Sequence, residues 1–260
     1  MFKSIFILCI LIVIVSCRTI NETNFNTGID KLQINQNKII LFDSARNRKI
    51  PIVIYYPKIK VSNQISYLVL LSHGYGFNEG NPYLGYSFIT ENLAKKGCYV
   101  VSIQHELPTD ELLAMSGELR ITRKPNWEKG VNNINYVKNQ LIELYPFLVN
   151  SNLVLIGHSN GGDMSVLFAE KFPNIVHKVF TLDHRRMPIP RIHYPKFFSL
   201  RSSDQVAEEG VLPDKEELKL LNHIVLQTTI KHNDMCNSAS KKEKRIILWF
   251  IEQNLGFKSK

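Results

Sequence analysis

Val154-Leu155-Ile156-Gly157-His158-Ser159-Asn160-Gly161-Gly162 is the stretch on which the fold turns. Its apolar start reads as a buried strand, and residues 160–172 continue as a helix, so a G-x-S-x-G pentapeptide falls directly between the two. A serine in such a turn occupies strained backbone that projects its hydroxyl above the sheet. The positions two before and two after it must be small because strand and helix nearly touch. Gly157 and Gly161 meet that need.

Outward from this turn, short apolar runs alternate with helical patterns. The runs are Tyr67 to Leu71, Tyr99 to Ile103, Leu153 to Ile156, Val179 to Leu182, Lys196 to Leu200 and Ile224 to Thr228; helices are predicted at 84–96, 127–144, 160–172, 214–221 and 239–254. Continuous apolar strands are buried on both faces, as in a parallel sheet, and strand-helix alternation gives a doubly wound α/β domain. Before them, Ile39 to Phe42 and Ile50 to Tyr56 flank the polar Arg46-Asn47-Arg48, the pattern of an antiparallel hairpin. The domain is expected over 38–260. Residues 104–126 make a connection much longer than the usual 2–6 residues, and they lie on the carboxyl side of the sheet, where open α/β folds place ligands. They are read as a possible cap.

A serine hydroxyl is a poor nucleophile at neutral pH and needs a base, with an acid to orient that base. Among the later histidines only His232 follows the last strand, in Lys231-His232-Asn233-Asp234. His177 and His223 precede strands, His184 comes too early, and His193 lies in a connection; none suits the base. Two aspartates compete for the acid, Asp183 at the end of one strand and Asp204 after the next. An oxyanion needs two backbone N–H donors, one from the residue after the nucleophile and one from the loop after an early strand. Asn160 and Tyr75, the latter in Ser72-His73-Gly74-Tyr75-Gly76, are the candidates. The run Gly74 to Gly80, with Glu106 ending the next strand, has the spacing G-x-G-x-x-x-G and departs from a dinucleotide fingerprint. No cofactor is expected, and no clustered metal ligands occur.

SHGYG at 72–76, GHSNGG at 157–162, LRSSDQ at 200–205 and KHND at 231–234 together resemble the α/β-hydrolase superfamily over nearly the whole mature chain. The chain is similar to its dienelactone-hydrolase, cutinase-like and platelet-activating-factor-acetylhydrolase-like branches. Ser159 departs from dienelactone hydrolases, whose nucleophile is cysteine, and so favours ester hydrolysis. The usual plan of the superfamily puts the acid after the penultimate strand. That implies a triad of Ser159, Asp204 and His232, with Asp183 the alternative if the acetylhydrolase-like branch is the kin. The resemblance implies a serine carboxylic-ester hydrolase working through an acyl-enzyme. The alternative is a tethered, catalytically inactive lipoprotein that uses the fold for binding.

The chain has 260 residues, of which 44% are hydrophobic and 21% charged, with 13 glycines, 11 prolines and 4 cysteines. Collagen-like, disordered and disulfide-scaffold readings are thereby excluded. The net charge of +9 is spread along the chain and does not identify a nucleic-acid binder. Lys3 precedes eleven uninterrupted apolar residues, Ile5 to Val15, too short for a span, which needs about 20, but the pattern of a signal peptide. Ile14-Val15-Ser16-Cys17 resembles the lipobox of bacterial lipoproteins, so Cys17 is the expected lipid anchor. Residues 18–37 form a polar tether. Arg18 in place of aspartate points away from inner-membrane retention and so toward the outer membrane of the cell envelope. Cys98 and Cys236 are read as free thiols. The expected substrate is a small-molecule or lipid-like ester. Arg185 and Arg186 are expected in solvent, although their place after a strand also suits an anionic group, and Tyr75 and Trp127 are read as pocket lining or loop anchors.

Overall fold

The computed structural model describes residues 33–58 and 67–257. The expected signal peptide, Cys17 and tether residues 18–32 lie outside them. Eight strands form one sheet: β1 (Ile34–Asp43), β2 (Arg48–Pro57), β3 (Tyr67–Ser72), β4 (Tyr99–Ile103), β5 (Asn152–His158), β6 (Val176–Leu182), β7 (Lys196–Arg201) and β8 (Ile224–Gln227). Their order is β1-β2-β4-β3-β5-β6-β7-β8. β1 pairs with β2 and β2 with β4 antiparallel, and every other pairing is parallel. Because two antiparallel steps separate them, β1 runs in the direction of β4. Asp43 is therefore at the carboxyl edge of the sheet and Ile34 at the amino edge.

The helices are α1 (Ser87–Lys95), α2 (Leu119–Thr122), α3 (Lys124–Leu144), α4 (Asn160–Lys171), α5 (Lys215–Leu221) and α6 (Lys241–Leu255). Residues of a strand point alternately to its two faces. Leu68 and Leu70 of β3 accordingly join Trp127, Ile134 and Leu141 of α3 and Met164 and Phe168 of α4. Val69 and Leu71 join Ile89 and Leu93 of α1 and Ile247, Phe250 and Ile251 of α6 on the other face. Two apolar layers, one per face, explain why the inner strands read as unbroken apolar runs. α6 starts at a capping box between Ser240 and Glu243 and stops at Gly256, in the left-handed region with φ 88°.

Two boundaries differ from expectation. β1 begins at Ile34, so residues 34–37, assigned to the tether, are strand paired with β2 from Pro57 to Ile54. Three of the four are polar, Asn35, Gln36 and Asn37, on a half-exposed edge, which hides the strand from hydrophobic patterning. β8, read as an inner apolar run, is the other edge and is only partly covered. Cys98 is buried, Cys236 partly so, and both are free. Among the described residues no helix is long and apolar enough to cross a membrane.

The long connection from β4 to α3 contains one turn of helix, α2, and is tied down along its length. Asp110 holds Arg48 and Lys129, Asn78 Nδ2 donates to the Asp110 carbonyl, and the guanidinium of Arg120 reaches Glu208 beyond β7. It is a strap across the carboxyl edge.

Candidate active site

Ser159 has φ 50° and ψ −120°, a conformation that costs a non-glycine residue of order 1–3 kcal/mol and persists only where the surroundings enforce it. Here Ser159 N–H donates to Leu182 O, while Ser159 O accepts from the N–H groups of Gly162 and Asp163. Helix α4 crosses so close that a Cβ on Gly157 would lie 2.3 Å from Gly161 O. One on Gly161 would lie 2.3 Å from the carbonyl oxygens of both Ser72 and His73. The two glycines of the pentapeptide are required by backbone contact with each other and with the end of β3.

The turn presents Ser159 Oγ 2.9 Å from His232 Nε2. His232 opens a short 3-10 turn after β8, and its Nδ1 lies 2.5 Å from Asp183 Oδ2. This corrects the assignment of Asp204. The Asp204 carboxylate is exposed and accepts the backbone N–H of His232 at 2.7 Å, fixing the start of the histidine turn rather than the ring. The reason lies in the sheet. β6 is the direct neighbour of β5, and Asp183, at its tip with φ 56° and its N–H on Leu200 O, is turned into the site. Asp204 stands three residues past β7, one strand further from the serine.

The loop after β7 supports the acid instead of supplying it. Asp183 Oδ1 accepts from Ser202 N–H at 3.0 Å and lies 2.8 Å from Arg201 Nη2, and Oδ2 accepts from Ser202 Oγ at 2.7 Å. Burial by itself would raise this carboxyl, but the His232 bond, the Arg201 charge and the two Ser202 bonds outweigh it and hold it at about 2. An ionised Asp183 accepting from Nδ1–H leaves Nε2 as the acceptor for the serine proton.

The two N–H groups considered for an oxyanion lie on the loop after β3 and at the start of α4. Gly74 N–H donates to Tyr86 OH at 3.0 Å and Gly76 N–H to Glu106 Oε2 at 3.2 Å. The Tyr75 N–H between them has no partner among the described residues. Asn160 opens α4, where N–H groups have no earlier helical carbonyl. Its side chain accepts from the buried Trp127 indole at 2.8 Å and donates to Asn126 Oδ1 at 2.9 Å, so Trp127 is an anchor of the elbow. The Tyr75 ring is likewise a loop anchor, its hydroxyl accepting from Leu113 N–H at 3.1 Å.

Two contributors escaped sequence reasoning. His158, the variable position before the serine, is buried; it accepts from Tyr86 OH at 2.8 Å on Nδ1 and donates from Nε2 to His232 O at 3.0 Å. Burial, together with the nearby His232, pushes it down to about 3, so it stays neutral. Through it the oxyanion loop, Tyr86 and the backbone of His232 form one hydrogen-bonded chain. Glu106, noted in the sequence only beside the Gly74 to Gly80 run, is buried against the same loop and 3.4 Å from Asn160 Nδ2. Burial pushes its carboxyl up to about 7, and the Gly76 and Asn160 contacts offset this only in part.

The other histidines take no part in this chain. His184 is bonded to Thr181, His223 accepts from Phe197 N–H, His177 lies beside Tyr194, and His193 is exposed. Arg185 and Arg186 differ from expectation: both are half-buried, and Arg186 faces Glu208 at 3.0 Å.

No family model and no curated protein matches the chain. Solved structures do. It is similar to fungal esterases from Rhizomucor miehei at 12% identity and TM-score 0.60, covering 86% of this chain and 84% of that one. A dienelactone-hydrolase-like promiscuous phosphotriesterase from metagenomic libraries matches at 13% identity and TM-score 0.60, over 85% and 97%. An S-formylglutathione hydrolase from Staphylococcus aureus matches at 12% identity and TM-score 0.57, over 85% and 97%. At such identities the likeness speaks for architecture, and it agrees with the strand order and the strained serine turn: the chain has the α/β-hydrolase fold.

Proposed function

We propose that the protein is a serine hydrolase cleaving carboxylic esters through an acyl-enzyme on Ser159. The observation that carries this reading is the bonded chain Ser159–His232–Asp183 mounted on the strained turn. His232 Nε2 takes the Ser159 proton as Oγ attacks the ester carbonyl carbon. The oxygen that gains charge is met by the N–H groups of Tyr75 and Asn160. His232, its positive form stabilised by Asp183, returns the proton to the leaving alcohol, then draws a proton from water to hydrolyse the acyl-enzyme.

The proposed place of action is the cell envelope, with the chain exported and held to a bacterial membrane, the outer one, by lipid on Cys17. The support is the apolar run ending in Ser16-Cys17. A fluorophosphonate probe, which reacts with an activated serine, should label the wild-type domain and not Ser159→Ala, and Ser159→Ala should lose roughly 10⁴- to 10⁶-fold in ester turnover. Unlabelled wild-type protein overturns the enzymatic reading. Cys17→Ser should release the protein from the membrane fraction or leave the precursor unprocessed; unchanged fractionation and processing overturn the anchor.

A further inference from the structure

Three arginines lie close enough on the carboxyl side of the sheet to act on one another's charge, each from a segment that also supplies a contact of the site. Arg123 precedes α3, whose Trp127 bonds to Asn160. Arg185 lies two residues past Asp183. Arg186 donates its backbone N–H to Asp163 Oδ1 at 2.9 Å, four residues along α4 from the serine. Arg123 is only 6% exposed, yet its side chain donates to the Ala114 carbonyl and the Met115 sulfur, with no carboxylate within ion-pair distance among the described residues. Arg185 bonds to the neutral Gln205 side chain and leaves its Nε–H buried without a partner among the described residues.

The anions near them do not balance this charge. Asp183 is taken by Arg201 and His232. Glu208 is shared between Arg120 and Arg186. Asp163 has its Oδ1 filled by the N–H groups of Arg186 and Met187, and burial, outweighing those bonds, pushes its carboxyl up to about 6. The cost of this crowding shows in Arg123: burial first, then the charges of Arg186 and Arg185, bring its guanidinium down to about 10. Partly buried cations without counter-charges are expensive, and the guanidinium fork matches an oxyacid bidentately.

We propose that Arg185, with Arg123 and Arg186 behind it, forms an anion subsite of the ester-binding cleft, so that the preferred substrates carry a carboxylate or phosphate beside the scissile bond. The inference deepens the hydrolase reading and rests on it. 4-Nitrophenyl acetate and 4-nitrophenyl hemisuccinate share a leaving group but differ in acyl charge, and an acetyl ester of glycerol phosphate carries phosphate on the alcohol side. One of the two anionic esters is expected to exceed its neutral counterpart in kcat/KM by about tenfold or more at low salt, with the advantage shrinking as salt rises. Arg185→Gln should cut that preference by roughly 10-fold or more, and Arg185→Glu should reverse it.

Neutral esters cleaved as well as or better than both anionic ones, or a preference unmoved in both variants, overturns the subsite. The neutral fluorophosphonate separates the two readings. Labelled Ser159 without an anionic preference removes only the subsite, whereas unlabelled protein removes the hydrolase. Where the protein is unlabelled, calorimetric titration of each of the two anionic esters into Ser159→Ala, with and without Arg185→Gln, reads the subsite without turnover. Binding of either ester lost with the arginine supports it, and equal or absent binding of both esters in both proteins overturns it.

Discussion

Asp183, at the tip of β6, and Asp204, three residues beyond β7, both bond to His232, the first at the ring and the second at the backbone N–H. The buried one has its charge matched by Arg201, Ser202 and the imidazole; the exposed one serves as a cap. Glu106 adds a third case, a carboxyl buried with only two weak donors near it. Burial pushes Glu106 up to about 7, while the donors around Asp183 overcome burial and hold it at about 2. Partners, more than depth, decide which carboxylate stays charged beside the histidine.

The contrast breaks most sharply with amides at the two aspartates. Asp183→Asn should lower ester turnover by about 10⁴, because its amide favours the wrong imidazole tautomer. Asp204→Asn should stay within about threefold, since an amide oxygen still accepts the His232 N–H. A dead Asp204 variant beside an active Asp183 variant would reverse the assignment.

Glu106 tests the burial side. A carboxyl raised in the folded state stabilises the fold below its unfolded pKa, and that contribution is lost as pH rises through about 7. Denaturant unfolding at pH 5 and pH 8 should therefore show Glu106→Gln gaining on wild type by up to about 3 kcal/mol at the higher pH. An unchanged difference between the two pH values would mean that Glu106 titrates normally. Asp183 has the opposite sign: its stabilisation, about 2 kcal/mol, is present above the ordinary aspartate pKa and lost as pH falls toward about 2. Acid unfolding of Asp183→Asn should lack that component. The smallest effect separates support from chemistry: Ser202→Ala removes one of the donors to Asp183 and should cost roughly 3- to 10-fold in turnover with Arg201 and the Ser202 amide still in place.

The parallel core, the serine turn and the histidine that bonds to its hydroxyl were legible because each leaves a local signature: apolar runs, small residues at fixed spacing, a histidine after the last strand. Asp183 against Asp204 was not decidable, because the choice depends on which strand lies next to β5 and on the side chains of Arg201 and Ser202 across the sheet. His158 and Glu106 stayed invisible for the same reason, their partners lying 72 and 30 residues away. The start of β1 was missed because a half-exposed edge strand holds its place through backbone pairing and needs no apolar pattern.

The direction of β1 bears on what the site can reach. Residue 34 leaves the sheet at the edge opposite the serine, and a ten-residue strand is about 33 Å long. If the proposed lipid sits on Cys17, the 16 residues between it and residue 34 could reach at most roughly 58 Å. That reach exceeds the length of the strand, so such an anchor would leave the serine edge free to face the bilayer or the surrounding water, and esters from either side would lie within its range.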